Sequence, residues 1–231
     1  MTSINTAPRP HQSPWAIARP QPADRLDSRA VFGQVMGLVA FTCLFCAAGA
    51  YAGRDLARGT GLIAFVVALG ALFGLRAAAA HNQRLAIGLL FGIGLLLGIG
   101  LGPVVGYYAS TQPDVVYQSA AATGLFIGGF GAYGYATRRD LSSWGRTLFF
   151  GLIALIAFGL ITLFVAIPAA NVIYALLGLG LFAALTIFDF NRLRRSGMDQ
   201  STLIAASIFI DVLNVFQLML LVFGGGGGRR R

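Results

Sequence analysis

An acidic side chain in the middle of an apolar run is the most chemically pointed feature of this chain. Asp211 follows Leu203–Ile210 and precedes Val212–Phe223. Counted from Leu203 it lies about 12 Å along a helix, too deep for its short side chain to reach a membrane surface. A residue of this kind within an apolar span points to function before it points to architecture. Ser207, Asp211 and Asn214 stand at i, i+4 and i+7, so one helix presents them as a narrow polar stripe. That stripe must face protein or a water-filled cavity, because lipid offers its polar groups no partner. Asp189, in Thr186-Ile187-Phe188-Asp189-Phe190-Asn191-Arg192, ends the preceding apolar run and lies nearer the interface.

Because the two runs are sequential, both carboxylates can meet at one end of the bundle. Two carboxylates in a low dielectric resist double ionisation and hold a proton between them. Such a pair can act as a proton-dependent latch, or offer oxygens to a hard cation such as calcium. Two carboxylates alone make a weak calcium site, since that ion takes six to eight oxygens. Simpler roles compete: Asp189 has Arg192 at i+3 for a local ion pair, and Asp211 can act as interhelical glue. Arg76 and Arg84 flank the gap between the second and third apolar runs. Each is either a counter-charge for the pair or a boundary residue that snorkels.

Other chemistries find little support. Cys43-Leu44-Phe45-Cys46 has CxxC spacing but no His or acid beside it, so it reads as packing. His11 and His81 have no partner in sequence for a triad or a zinc site. No metalloprotease, nucleophile-elbow, phosphate-loop or dinucleotide motif occurs, and the expectation is a protein that is not an enzyme, with no cofactor. Asp140, with Ser142 or Ser143, reads as a cap for the fifth helix.

The elements that must position these residues are membrane spans. The chain has 231 residues, 57% hydrophobic and 11% charged, with a mean hydropathy of +0.75. Soluble domains carry about 25% charge. An ordinary soluble enzyme and a disordered chain are both excluded. Seven apolar runs, 31–52, 60–79, 85–108, 115–136, 145–167, 169–190 and 202–223, each approach the ~20 residues that cross a bilayer. The fold class expected is all-α: an integral membrane bundle of seven transmembrane helices, in a domain spanning 30–224. Residues 1–29 hold five of the eight prolines and read as a disordered Pro/Arg-rich tail. Residues 225–231 form a Gly/Arg tail.

All 17 basic residues are Arg and all 8 acidic ones Asp, giving a net charge of +9. The arginines fall between apolar runs, so they follow membrane topology rather than nucleic-acid binding. With the N-terminus inside, the inner segments hold twelve of them and the outer loops hold only Arg54 and Arg58. This bias predicts a cytoplasmic N-terminus in the inner or plasma membrane. Arg229, Arg230 and Arg231 then lie outside if the seventh segment spans fully and inside if it is re-entrant. Gly88/Gly92, Gly94/Gly98, Gly98/Gly102 and Gly124/Gly128 have GxxxG spacing, which lets helix backbones approach closely. Pro103 is expected to kink the third helix.

Three stretches make the chain resemble the Bax inhibitor-1-like family, the transmembrane Bax inhibitor motif proteins, which has bacterial members. They are GGFGAYGYATRRDLSSWG at Gly128–Gly145, FDFNR at Phe188–Arg192 and FIDVLNVFQLMLLVFG at Phe209–Gly224. Gly98–Pro103 and Tyr117-Gln118 add weaker support. The resemblance implies seven helices with the last one central, and a pH-sensitive calcium leak in which Ca2+ is the permeant ion. It places the family's paired aspartates on Asp189 and Asp211, and its latching arginine on Arg76, with Arg84 as the alternative. Some members carry an acid inside the second helix; the matching region here, around Phe65, has none. The resemblance also implies a different role, a non-conducting regulator docking a membrane protease or another membrane protein in stress or quality control.

Overall fold

The computed structural model describes residues 22–56, 58–164 and 170–225. Seven helices account for nearly all of them: α1 (Pro22–Gly53), α2 (Arg58–His81), α3 (Gln83–Thr111), α4 (Pro113–Ala136), α5 (Trp144–Phe164), α6 (Ala170–Leu193) and α7 (Ser201–Gly225). A single 3-10 turn, Met198–Gln200, leads into α7. Each helix is long and apolar enough to cross a membrane. Among the described residues there is no strand. The apolar runs and the helices coincide closely. α1, however, begins at Pro22, within the segment read as a tail, and α7 is one continuous helix long and apolar enough to span fully. The 1–21 part of that tail, the 226–231 part of the terminal Gly/Arg segment, and the 165–169 ends of the fifth and sixth runs lie outside the described residues.

Local chemistry sets the joints. Asn82 Oδ1 accepts from the Arg84 and Leu85 N–H groups and caps α3. Gln112 closes α3 and Pro113 opens α4, where a missing N–H costs nothing. α3 runs on through Pro103 as one helix. Bulky apolar side chains such as Phe73 and Leu125 point outward and are largely exposed, as lipid-facing surfaces require.

Glycine decides how closely α1 and α3 pack. A Cβ on Gly94 would sit 2.7 Å from Thr42 Cγ2, and one on Gly98 or Gly102 would meet the backbone of Cys46 or Gly53. The GxxxG pairs built on Gly94, Gly98 and Gly102 thus form the tight interface expected of them. Gly88, Gly92, Gly124 and Gly128 face open space, where an added methyl would meet nothing within 4 Å. α7 touches α1, α2, α3, α4 and α6. Its span is 44% buried against 11% for α5, so α7 is the centre of the bundle. α1, α3, α5 and α7 begin at the same end of the bundle, where α2, α4 and α6 finish.

Candidate functional site

That shared end holds Asp189, while Asp211 lies near the middle of α7. α6 reaches the shared end pinned against α4. A Cβ on Gly134 would collide with the Ile187 backbone, and the Phe190 ring lies over Gly131. The Asn191 amide, 3% exposed, lies within donor distance of three carbonyls at the C-terminus of α4: Thr137 at 2.8 Å, Arg139 at 3.2 Å and Gly134 at 3.4 Å. Arg194 Nη1 donates to the Thr137 carbonyl at 2.8 Å. Arg195 donates to the Arg139 carbonyl and pairs with Asp140 at 2.6 Å. These donors satisfy carbonyls that a helix end leaves without intrahelical partners.

Asp140 is a turn residue rather than a cap on α5. Its Oδ1 accepts from the Ser142 N–H at 2.8 Å, and α5 starts at Trp144. The Ser142 N–H, with the nearby Arg195 guanidinium, holds this carboxyl below its ordinary 3.8.

On the inner face of α6, Asp189 is buried, and Ser207 Oγ of α7 donates to its Oδ2 in a short hydrogen bond. One turn further along α7, Asp211 is equally buried. The two carboxylates interact electrostatically across the α6–α7 interface. No strict hydrogen bond reaches Asp211 Oδ2, although the Thr186 hydroxyl lies beside this carboxylate; the buried Thr202 hydroxyl has no partner either. An unpaired buried carboxylate oxygen is costly in a low-dielectric interior.

The structure brings together Asp189, Asp211 and Ser207. It does not bring the others to them. Asn214 donates to the Ile210 carbonyl of its own helix at 2.8 Å. Arg76 is exposed on α2 and Arg84 is exposed in the first turn of α3. Among the described residues the ion pairs are Arg54–Asp55 and Arg195–Asp140, so neither arginine latches an aspartate and Asp189 makes no contact pair with Arg192. No cluster of three or more His, Cys, Asp or Glu side chains suited to a metal occurs among the described residues.

Sequence reasoning missed Thr186, Thr202 and the anchoring role of Asn191. Thr186 stands one turn before Asp189 on the same face, and that i, i+3 spacing was the available signal. Nothing in the sequence places Gln34, which donates to Ser201 Oγ at 3.0 Å and ties α1 to the start of α7.

A seven-helix membrane bundle with a buried acid pair between its last two spans defines the class: a polytopic membrane protein with a titratable centre. Family comparison then gives the particular assignment. A model of the family described as inhibitor of apoptosis-promoting Bax1 matches residues 28–228, and the chain belongs to that Bax inhibitor family. A membrane protein of Vibrio cholerae is 27% identical over 165 residues, covering 71% of this chain and 74% of its own. The inner membrane protein YbhL of Escherichia coli is 31% identical over 127 residues, covering 48% of this chain and 54% of its own. Mouse protein lifeguard 4 is 31% identical over 149 residues, covering 64% and 61%. The chain spans about half the length of the Escherichia coli relative and of a Caulobacter vibrioides relative.

Proposed function

We propose that the protein is a passive cation leak of the cell membrane, with calcium as the permeant ion, which opens when the Asp189–Asp211 pair loses its shared proton. The observation that carries this reading is the burial of both carboxylates between α6 and α7, with no strict hydrogen bond reaching Asp211 Oδ2. A proton shared across that interface draws the two helices together, and its loss sets two like charges against each other in a low dielectric. Ser207 donates to Asp189 and the Thr186 hydroxyl lies beside Asp211; these further oxygens are enough for brief contact with a cation but not for tight retention. The arginine bias supports a cytoplasmic N-terminus, which puts the Asp189 end of the pair toward the cytoplasmic side.

The test is calcium flux into proteoliposomes across a pH series, with wild type beside Asp189→Asn and Asp211→Asn. Wild-type flux is expected to vary with pH, and Asp211→Asn to flatten that profile. Absence of flux at every pH, or an Asp211→Asn profile identical to wild type, overturns the reading.

One observation favours the second reading, a non-conducting regulator of a membrane protease or similar partner: α2 carries no acidic residue between Arg58 and His81. Crosslinking followed by co-purification, with and without residues 1–21, tests it. A single uncomplexed species in both samples would argue decisively against it.

A further inference from the structure

We infer that the membrane-deep groove between α1 and α4 is a binding site for an anionic phospholipid, with its acyl chains along the groove and its phosphate at Arg29. α1 and α4 meet at one end through the edge contact of Phe32 and Tyr135, centroids 5.1 Å apart. Beyond that contact they diverge around a cavity of about 1400 Å³. α1 lines it with Cys43 and Ala47, and α4 with Ala120, Gly124, Gly128 and Ala132. These four α4 residues recur every fourth position and form one continuous stripe of small residues, flanked by Val116, Thr123 and Ile127, which also line the groove. A methyl built on Gly124 or Gly128 meets nothing within 4 Å.

Arg29 and Arg54 line the two extremes of this cavity. On one helix they stand about 38 Å apart, more than the ~30 Å of a bilayer's hydrocarbon core. The groove therefore runs from one headgroup level to the other, and whatever the protein leaves unfilled there is filled from the membrane. The lining is apolar along almost all of that length, with Thr123 and the two end arginines as its main polar side chains, a surface suited to extended acyl chains with a headgroup at one end.

Charge selects the end. Arg54 is already engaged, paired with Asp55 at 3.1 Å and stacked 4.2 Å above the Tyr51 ring. Arg29 is exposed and forms no ion pair among the described residues. A phosphodiester there gains a charge-assisted partner. The site backs onto the acid pair. Phe190, next to Asp189, and Val212, next to Asp211, both line the groove.

The experiment reconstitutes the full chain in phosphatidylethanolamine vesicles containing a trace of phosphatidylglycerol with a diazirine in its acyl chain. After irradiation, labelled peptides are mapped. Labelling is expected to concentrate on the Cys43–Tyr51 and Ala120–Ala132 segments over the outward faces that carry Phe73 and Leu125. Gly124→Leu/Gly128→Leu, placed where a Cβ meets nothing within 4 Å so that the side chains extend into the groove, should lower that labelling severalfold. Gly88→Leu, equally open but outside the groove, should leave it unchanged. Arg29→Gln should remove the preference for this probe over its phosphatidylcholine counterpart. Uniform labelling of all outer faces, or labelling that ignores the double leucine variant, overturns the proposal. So does a Cys43–Cys43 disulfide between copies that the double variant abolishes, since the occupant would then be a second copy of the chain.

Discussion

Asn191→Ala tests whether the anchoring of α6 on α4 is as local as its geometry indicates. The Asn191 amide has two N–H groups and three carbonyls within reach. The shorter contacts, to Thr137 at 2.8 Å and Arg139 at 3.2 Å, are the full bonds. Neither carbonyl is stranded by the substitution, because Arg194 still serves Thr137 and Arg195 still serves Arg139. The loss is therefore two net hydrogen bonds, about 1–3 kcal/mol in total, plus the weaker contact to the Gly134 carbonyl at 3.4 Å. The same accounting predicts coupling. In an Arg194→Met background, Asn191→Ala leaves the Thr137 carbonyl with no donor, and the combined loss should exceed the sum of the single losses by about 1 kcal/mol or more. Asn191→Asp should be worse than alanine, since it turns an acceptor toward acceptors. Reversible unfolding by sodium dodecyl sulfate in mixed micelles, run as a double-mutant cycle, measures all three. Singles that add to within about 0.5 kcal/mol would refute the shared-carbonyl account.

Gly98→Ala should destabilise the bundle by about 1–3 kcal/mol, because its Cβ would meet the Cys46 backbone with no flexible side chain to yield. Gly92→Ala, with nothing within 4 Å, should be neutral or slightly stabilising through helix propensity; equal effects in the same unfolding assay would contradict the packing assigned to α1 and α3. For Asp140, a carboxyl held below 3.8 in the folded protein contributes stability that is complete above that value and lost as pH falls through the folded one. The difference between wild type and Asp140→Ala in thermal unfolding should therefore be steady at neutral pH, close only below 3.8, and shrink with added salt. If the acid pair moves helices, spin labels across α6 and α7 should change separation with pH, while labels across the α4–α6 junction should not; a shift at the anchored junction instead would exclude this division.

How far the fold can be read from the sequence depends on what the membrane demands. A span must be about 20 apolar residues whatever its neighbours do, so length alone exposes all seven helices. Helix ends are less constrained. Pro22–Arg29 reads as tail because the segment is polar and begins at a proline, yet proline is well tolerated in a first helical turn, and α1 extends back through it. The glycines show where pattern runs out. Gly94, Gly98 and Gly102 share GxxxG spacing with Gly124 and Gly128, but the first set is pressed against backbone and the second borders an open groove. Spacing says which face of a helix is smooth; it does not say whether another helix comes to cover it.

The site divides along the same line. Asp189, Asp211 and Ser207 are legible because each breaks the apolar pattern on a defined helical face, and lipid forces such a face inward. Asn214 obeys the same periodicity, yet its amide turns back to the Ile210 carbonyl. A polar side chain that can satisfy itself within its own helix need not join its neighbours, whereas a carboxylate has only acceptors and must find a donor elsewhere. That asymmetry explains why Asp189 recruits Ser207, and why Asp211, with no strict hydrogen bond reaching Oδ2, is the more chemically exposed member of the pair. It also explains why Arg76 could not be placed from sequence. An arginine at a span boundary can extend to water as readily as to a carboxylate, and here it is exposed. Residues with an alternative to burial are ambiguous in sequence; residues without one are not.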